Sequence, residues 1–179
     1  MKVCLITGAG SGIGLATVRE FHKNGYAVLA CDVAINPDTF KGLTNVVALK
    51  LDVTDEHAVA KAVELAASKW GALDCAFANA GISGSPSLFT DCETDEFDQI
   101  LKVNVLGVFY VWKYATLMMQ KLKTQNGVLL STASVAGIRS GAGGTAYSAS
   151  KAAVINMTQV IFLCCRAKSP RFSVVELLC

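Results

Sequence analysis

The sequence of 179 residues predicts an α/β fold, a doubly wound parallel sheet in one domain over residues 1–179. Short apolar segments alternate along the chain with longer segments of helical periodicity, which is typical of parallel strands joined by right-handed helical crossovers. The composition is 53% hydrophobic and only 17% charged, as expected for a sheet covered on both faces. A glycine-rich turn joins the first predicted strand to the first predicted helix.

The predicted strands are short apolar segments that cover residues 2–7, 26–31, 46–51, 73–78, 127–132 and 172–179. The first helix is predicted to end at Asn24-Gly25, because glycine is common just after a helix. Thr54 is predicted to open the second helix, with Asp55 and Glu56 in its first turn, where carboxylates interact favourably with the helix dipole.

Two longer helices complete the predicted order of elements. One covers residues 94–123, and the other covers residues 145–168 and ends before Pro170. No apolar run approaches the length of about 18 residues that a membrane span needs. A net charge of +2 without a cluster of Lys and Arg argues against nucleic acid as the main partner. The sequence therefore predicts neither a membrane nor a nucleic-acid partner.

The seven cysteines do not form a C-x-x-C pair, and neither histidine lies at ligand spacing to them. Cys4, Cys31 and Cys75 lie in predicted strands, where a thiol behaves as a small hydrophobic side chain. We therefore expect no metal site. An odd number of reduced thiols predicts a cytoplasmic protein.

The segment TGAGSGIG raises the question of what comes close to its backbone. Its glycines do not fit G-x-G-x-x-G but fit T-G-x-x-x-G-x-G, on Thr7, Gly8, Gly12 and Gly14. In an open α/β sheet, ligands bind beyond the carboxyl ends of the strands, next to the N–H groups of a helix N-terminus. Because glycine has no Cβ, a pyrophosphate could reach this backbone directly. The loop indicates a dinucleotide, and a tight strand–helix junction without a ligand is the alternative.

Asp32 ends the second predicted strand, 24 positions after Gly8. A carboxylate about 20 residues after the first glycine can accept hydrogen bonds from the adenosine ribose hydroxyls. It would also repel a 2′-phosphate, and no Lys or Arg lies beside it or at Ser11. The sequence thus favours NAD over NADP. The alternative is a solvated carboxylate at the end of a strand.

Polar side chains in three later segments could carry chemistry. Tyr147 and Lys151 are four residues apart on one predicted helix, and a nearby ammonium favours the phenolate that proton transfer requires. Ser134 follows the fifth predicted strand, where its hydroxyl could donate to a carbonyl. Asn104 is a polar amide on an apolar helix stripe, and NAG at residues 79–81 ends the fourth strand. The alternatives are a surface pair for Tyr147 and Lys151, and a buried amide that satisfies backbone groups for Asn104.

Taken in order, the glycine loop, Asp32, LDVTD, NAG, Asn104, Ser134 and Y-x-x-x-K resemble the short-chain dehydrogenase/reductase family over residues 1 to about 160. The resemblance implies a Rossmann-like domain and an NAD-dependent oxidoreductase that interconverts a secondary alcohol and a ketone. It implies that Tyr147 exchanges the proton, Ser134 orients the substrate oxygen, Lys151 also binds the nicotinamide ribose and Asn104 holds a water in a proton relay. Asp52 and Val53 would border the adenine. The implied cofactor-binding residues are Gly8, Ser11, Gly12, Ile13, Gly14, Asp32, Asp52, Val53, Asn79, Ala80, Gly81, Tyr147 and Lys151.

Family members usually continue with a Pro-Gly turn, a substrate-covering loop and helix, and a closing strand, whereas RAKSPRFSVVELLC supplies at most one strand. We therefore expect a C-terminally truncated form, slow in turnover, whose last strand pairs with the fifth and leaves its outer edge bare. A truncated, weakly active or inactive chain that only binds dinucleotide or dimerises is the alternative function. A nucleotide-sugar epimerase is a third possibility, which the lack of a second domain disfavours.

The predicted helix 94–123 carries more apolar residues than one stripe requires: Val105, Phe109, Val111, Met118 and Met119. The extra face suggests a homodimer or homotetramer through helices 94–123 and 145–168, as in the helix bundles of the family. A helix buried within its own domain is the alternative.

Overall fold

In the computed structural model, which describes residues 1–85, 88–139, 141–168 and 172–177, six parallel strands form one sheet. All five neighbouring pairs of strands in this sheet are parallel, and their order is β3-β2-β1-β4-β5-β6. The order reverses between β1 and β4, which confirms the predicted doubly wound sheet. The strands are β1 (Val3–Thr7), β2 (Ala27–Asp32), β3 (Val46–Lys50), β4 (Cys75–Ala78), β5 (Gly127–Thr132) and β6 (Phe172–Leu177).

Five α-helices connect these strands: α1 (Gly12–Lys23), α2 (Glu56–Trp70), α3 (Thr94–Leu101), α4 (Gly107–Lys121) and α5 (Thr145–Lys168). One turn of π-helix, Lys102–Leu106, joins α3 to α4. Among the residues that the structure describes, no helix is long and apolar enough to cross a bilayer.

Alternate residues of the central strands enter two separate apolar cores, one on each face of the sheet. Val3 and Leu5 of β1 belong to the core that α2, α4 and α5 cover. Cys4 and Ile6 of the same strand belong to the core on the face of α1, together with Val18. Burial on both faces explains why the strands read as continuous apolar segments in the sequence.

The predicted elements agree with the structure except at two places. Thr54 does not cap α2, because its N–H and hydroxyl donate to Asp52 Oδ1, at 2.9 and 2.8 Å. Asp55 caps this helix instead, accepting a hydrogen bond from the Ala58 N–H at 3.0 Å. The predicted helix 94–123 is interrupted by the π turn and ends at Lys121.

The last predicted strand pairs with β5 as expected, over Phe172–Leu177, and residues 178 and 179 lie outside the described residues. The predicted end at Pro170 lies outside them as well. Cys4, Cys31 and Cys75 are buried free thiols. Burial raises the pKa of the Cys4 and Cys31 thiols above their ordinary value. These two side chains therefore stay protonated and act as small hydrophobic groups.

Candidate active site

Two neighbouring cavities, of about 780 and 480 Å³, lie at the edge of the sheet where the carboxyl ends of the strands meet. The larger one is lined by residues at or just after the ends of β1, β2, β4 and β5, including Gly8, Asp32, Asn79 and Thr132. This is the position at which an open α/β sheet binds its ligand. Every predicted cofactor-binding residue except Gly14 lines this cavity.

Three glycines of the first loop are required for different reasons. Gly8 has a φ of +64°, and a Cβ there would lie 2.8 Å from Asn79 Nδ2. A Cβ on Gly14 would overlap the Gly8 carbonyl oxygen, so Gly14 allows the helix to pack on the loop and lies behind the cavity. Gly12 has a φ of +49°, and apart from its chain neighbours and the backbone of its own helix no protein atom lies within 4 Å of its Cβ position. Because Gly12 lines the larger cavity, a side chain at this position would occupy space that a ligand could use.

The carboxylate of Asp32 is held by backbone N–H groups from two loops. Its Oδ2 accepts from Gly10 N at 2.9 Å, and its Oδ1 accepts from Ala34 N at 3.0 Å. A Cβ on Gly10 would lie only 3.0 Å from Asp32 Cγ, so Gly10 also allows the glycine loop to approach this carboxylate. The sequence pattern did not single out Gly10 for this contact. The result is a carboxylate fixed at the rim of the larger cavity.

Asn79 connects three strands through its side chain. Its Nδ2 donates to the carbonyl oxygens of Thr7 and Gly8, at 3.1 and 3.2 Å. Its Oδ1 accepts from the Thr132 hydroxyl at 2.8 Å. The NAG motif thus fixes the ends of β1, β4 and β5 relative to one another, while Ala80 and Gly81 line the larger cavity.

Tyr147 lines both cavities, and Lys151 lies beside it on the same helix. Lys151 is only 4% exposed, and its Nζ donates to the Thr132 carbonyl at 2.6 Å and lies 5.5 Å from the centre of the Tyr147 ring. Ser134, only 6% exposed, lines the smaller cavity together with Tyr147. Its Oγ accepts from Ala136 N at 3.2 Å. The structure thus brings Ser134, Tyr147 and Lys151 to one place, as the sequence predicts.

Asn104 is fully buried in the π turn and lines neither cavity. Its Oδ1 accepts from Ile82 N at 2.9 Å, and its Nδ2 donates to Ile82 O and to Ser150 Oγ, both at 2.9 Å. Both hydrogens of the amide are therefore used within the protein. The side chain thus satisfies both backbone groups of Ile82, and the role of Asn104 in a proton relay stays a prediction. Its position on an apolar stripe revealed the residue, but local spacing could not reveal Ile82 or Ser150 as partners.

Asp52 and Val53 line the larger cavity, and Val53 is packed tightly against α4. A Cβ on Gly107 would lie 2.7 Å from Val53 Cγ2, so this glycine allows the close approach. Residues that line the same cavity but were not predicted are Val33, Leu51, Ile82, Ser83, Gln99, Val103 and Thr132. Among the described residues, no cluster of His, Cys, Asp and Glu side chains is suited to hold a metal ion.

The sequence and the fold are similar to those of known proteins. The family model described as short chain dehydrogenase matches residues 2–175. Momilactone A synthase of Oryza sativa subsp. japonica is 36% identical over 169 residues, which cover 88% of this chain and 59% of that protein. The (+)-borneol dehydrogenase 2 of Salvia officinalis is 37% identical, over 88% of this chain and 57% of that protein. The 3-oxoacyl-[acyl-carrier-protein] reductase FabG of Thermotoga maritima is 39% identical, over 88% of this chain and 65% of that protein.

Two solved structures share the fold. A short chain dehydrogenase/reductase from Burkholderia phymatum in complex with NAD has a TM-score of 0.93 and 27% identity, over 99% of this chain and 64% of that one. ElxO with NADP bound has a TM-score of 0.89 and 31% identity, over 98% of this chain and 71% of that one. The molecule therefore has a Rossmann-like fold, and the chain belongs to the short-chain dehydrogenase/reductase family. It spans 57–65% of the length of the three curated relatives described above.

Proposed function

We propose that residues 1–179 form one NAD-binding domain that interconverts a secondary alcohol and a ketone. The observation that carries this proposal is the position of Tyr147. Its ring lies beside the buried Lys151 ammonium, and it lines both the larger and the smaller cavity. A phenol at this junction can exchange a proton with a substrate in the smaller cavity while a cofactor occupies the larger one.

The larger cavity fits a nicotinamide dinucleotide. Gly12 leaves open space above the N-terminus of α1, where unpaired N–H groups favour a pyrophosphate. Asp32 is positioned by Gly10 N and Ala34 N to accept hydrogen bonds from ribose hydroxyls. When bound, the nicotinamide ring accepts the hydride from an alcohol or supplies it to a ketone.

Charge at the larger cavity favours NAD over NADP. Asp32 and Asp52 both line it, and Lys151 is the one cationic side chain among the described lining residues. Lys151 donates to the Thr132 carbonyl beside Tyr147, whereas Asp32 ends the distant strand β2. A 2′-phosphate near Asp32 would therefore meet a carboxylate without a neighbouring cation from the described lining.

In the reduction direction, the Tyr147 phenol gives its proton to the carbonyl oxygen of the substrate, and in oxidation the Tyr147 phenolate takes the proton from the alcohol. The Lys151 ammonium stabilises the negative charge that develops on the phenol oxygen. Ser134 Oγ accepts from Ala136 N, so this bond does not use the hydroxyl hydrogen, and we assign the substrate oxygen as the acceptor of that hydrogen. The two hydroxyls would thus hold the reacting carbonyl.

The lining of the smaller cavity favours a substrate that is uncharged near its reacting carbon. Its described lining residues are neutral, and all but Tyr147 are small; besides Ser134 they include Ser85, Val135, Ala142 and Gly143. An ionised group would lose hydration there without gaining a partner of opposite charge from these residues. A neutral alcohol or ketone meets no such cost.

The proposal is tested by calorimetric titration of NAD and NADP, followed by steady-state turnover on a panel of neutral secondary alcohols. We expect NAD to bind on the order of tenfold more tightly than NADP, and NADH to form only when an alcohol is present. Absence of binding by either nucleotide would contradict the assignment. Binding without turnover on any alcohol or ketone would support the alternative of a chain that only binds dinucleotide.

A further inference from the structure

Ser150 is a fully buried polar residue that the sequence analysis did not single out. It lies on α5, one residue before Lys151 and three residues after Tyr147. Its Oγ donates to the Tyr147 carbonyl at 2.7 Å and accepts from Asn104 Nδ2 at 2.9 Å. The hydroxyl therefore uses its donor and one acceptor position within the protein.

The bonds of Ser150 continue into the wall of the larger cavity. Asn104 binds Ile82 twice, through Ile82 N and Ile82 O, and Ile82 lines that cavity next to Gly81. A Cβ on Gly81 would lie 3.2 Å from Asn104 Oδ1 and 3.7 Å from Lys151 Nζ, so the loop after β4 lies directly against both side chains. One continuous hydrogen-bonded path thus joins the Tyr147 carbonyl to the backbone of this loop.

We propose that Ser150 is a positioning residue, which fixes the helical turn of Tyr147 and Lys151 relative to the cavity wall at Ile82 through Asn104. The geometry supports this role because the path crosses three separate elements, which are α5, the π turn and the loop after β4. Asn104 lies in the π turn and bonds from there to Ile82 and to Ser150. A hydroxyl that only stabilised α5 would need no bond beyond the one to the Tyr147 carbonyl, whereas Ser150 Oγ also accepts from Asn104 Nδ2.

Thr158 provides a matched control on the same helix. It is 6% exposed, and its Oγ1 donates to the Val154 carbonyl at 2.9 Å, a bond that stays within α5. Thr158→Val removes a buried hydroxyl of the same kind while keeping the side-chain volume. Comparing Ser150→Ala with Thr158→Val therefore separates positioning of the site from stability of the helix.

The activity test rests on the proposed function. We expect Ser150→Ala to lower kcat about tenfold with KM within about twofold, because the proton donor loses its orientation while substrate contacts remain. Thr158→Val should leave kcat unchanged. In the background of Asn104→Ala, the added Ser150→Ala change should have little further effect, since both residues act through one path. Equal kcat in the parent and in Ser150→Ala would overturn the proposal.

A second readout needs neither cofactor nor activity. Amide hydrogen exchange at Ile82 should become at least about fivefold faster in Ser150→Ala and stay unchanged in Thr158→Val, because only the first variant loosens Asn104. Unchanged exchange at Ile82 would overturn the positioning role. If Ser150→Ala does not fold, Ser150→Cys replaces it, because a thiol has nearly the same volume as the hydroxyl but is a weaker hydrogen-bond donor. Its steady-state kinetics and the hydrogen exchange at Ile82 are then measured in the same way. If the parent shows no turnover, the proposed function fails, and the exchange at Ile82 alone decides the role of Ser150.

Discussion

We propose that the Asp32 carboxylate binds a ribose of the cofactor, and two backbone N–H groups fix its position. Gly10 N and Ala34 N each donate to one of its oxygens, so the side chain cannot turn away from the larger cavity without losing hydrogen bonds. The sequence places Asp32 at the end of a strand, and its distance from Gly8 predicts contact with a ribose. The contact with Gly10 could not be predicted, because it depends on how closely two loops approach.

We expect Asp32→Asn to narrow the preference for NAD over NADP by on the order of tenfold, equivalent to ~1.4 kcal/mol, because it removes the charge that repels a 2′-phosphate. Titration of both nucleotides into both proteins measures this effect. Asp38→Asn, which changes an exposed carboxylate outside the cavity lining, is the control and should leave the preference unchanged. The same preference in the parent and in Asp32→Asn would remove Asp32 from the site.

At the scale of elements, the glycine loop combines a tight backbone with open space for a ligand. Gly12 and Gly25 both have positive φ and open space around the Cβ position, but only Gly12 lines the larger cavity.

We expect Gly12→Ala and Gly25→Ala each to lower the free energy of unfolding by about 1–2 kcal/mol, because alanine is strained in the left-handed backbone conformation. Only Gly12→Ala should weaken the affinity for NAD, by on the order of tenfold or more, because its methyl group would clash with the bound nucleotide. Thermal melts and NAD titrations of the two variants measure these effects. If both variants bound NAD with the affinity of the parent, Gly12 would not lie at the cofactor site.

The contact between α2 and α4 includes one carboxylate that accepts from two donors. The Lys113 Nζ lies 2.8 Å from Glu56 Oε1, and the Tyr114 hydroxyl donates to the same oxygen at 3.0 Å. The hydrogen bond from Lys113, followed by the one from Tyr114, lowers the pKa of Glu56 below its ordinary value. Folding therefore favours the ionised form, so this stabilisation is present above the ordinary pKa of glutamate and is lost as the pH falls through the lowered value.

We expect Glu56→Gln to reduce the melting temperature slightly at neutral pH and to have no effect at a pH where Glu56 is protonated in the folded protein. The effect is small because the pair is largely exposed. Glu64→Gln, an exposed carboxylate on the same helix, is the control. A difference between Glu56→Gln and the parent that persists unchanged into strong acid would show that the carboxylate charge is not its cause.

The sequence predicted most elements well because their signals are local. Apolar segments of strand length and helical spacing identify the strands and helices, and the bounds of β5 and α5 agree with the prediction. The π turn could not be predicted, because no local pattern marks it, and Asn104 within it bonds to Ile82 and Ser150 on other elements. The bond between Asn79 and Thr132 joins residues 53 positions apart, and no local pattern marks it.

At the scale of the whole molecule, the end of the π turn and α4 together carry an exposed apolar face. Val111 and Met119, which the sequence assigned to a partner face, are instead buried within the domain, while Leu106, Phe109 and Leu117 are exposed. These three positions lie on one side of the helix at spacings of three and eight residues. We propose that this face, with the exposed apolar positions of α5, joins two copies of the chain.

We expect Leu117→Lys to shift the protein toward the monomer in sedimentation velocity, because it places a charge in the apolar face. Leu117 is 54% exposed, so the substitution should cost the monomer little stability. The matched control is Leu65→Lys, at a 38% exposed leucine on α2. A parent that is monomeric at all concentrations, or equal dissociation by both variants, would contradict this interface.

The central claim is that Tyr147 exchanges the proton at the junction of the two cavities, and Tyr147→Phe tests it most directly. The substitution keeps the ring beside Lys151 and Gly143 and removes only the hydroxyl. Turnover of a secondary alcohol should fall by on the order of a hundredfold or more, while the affinity for NAD stays within about twofold of the parent. Turnover in Tyr147→Phe equal to that of the parent, with NAD bound to the same extent, would contradict the account.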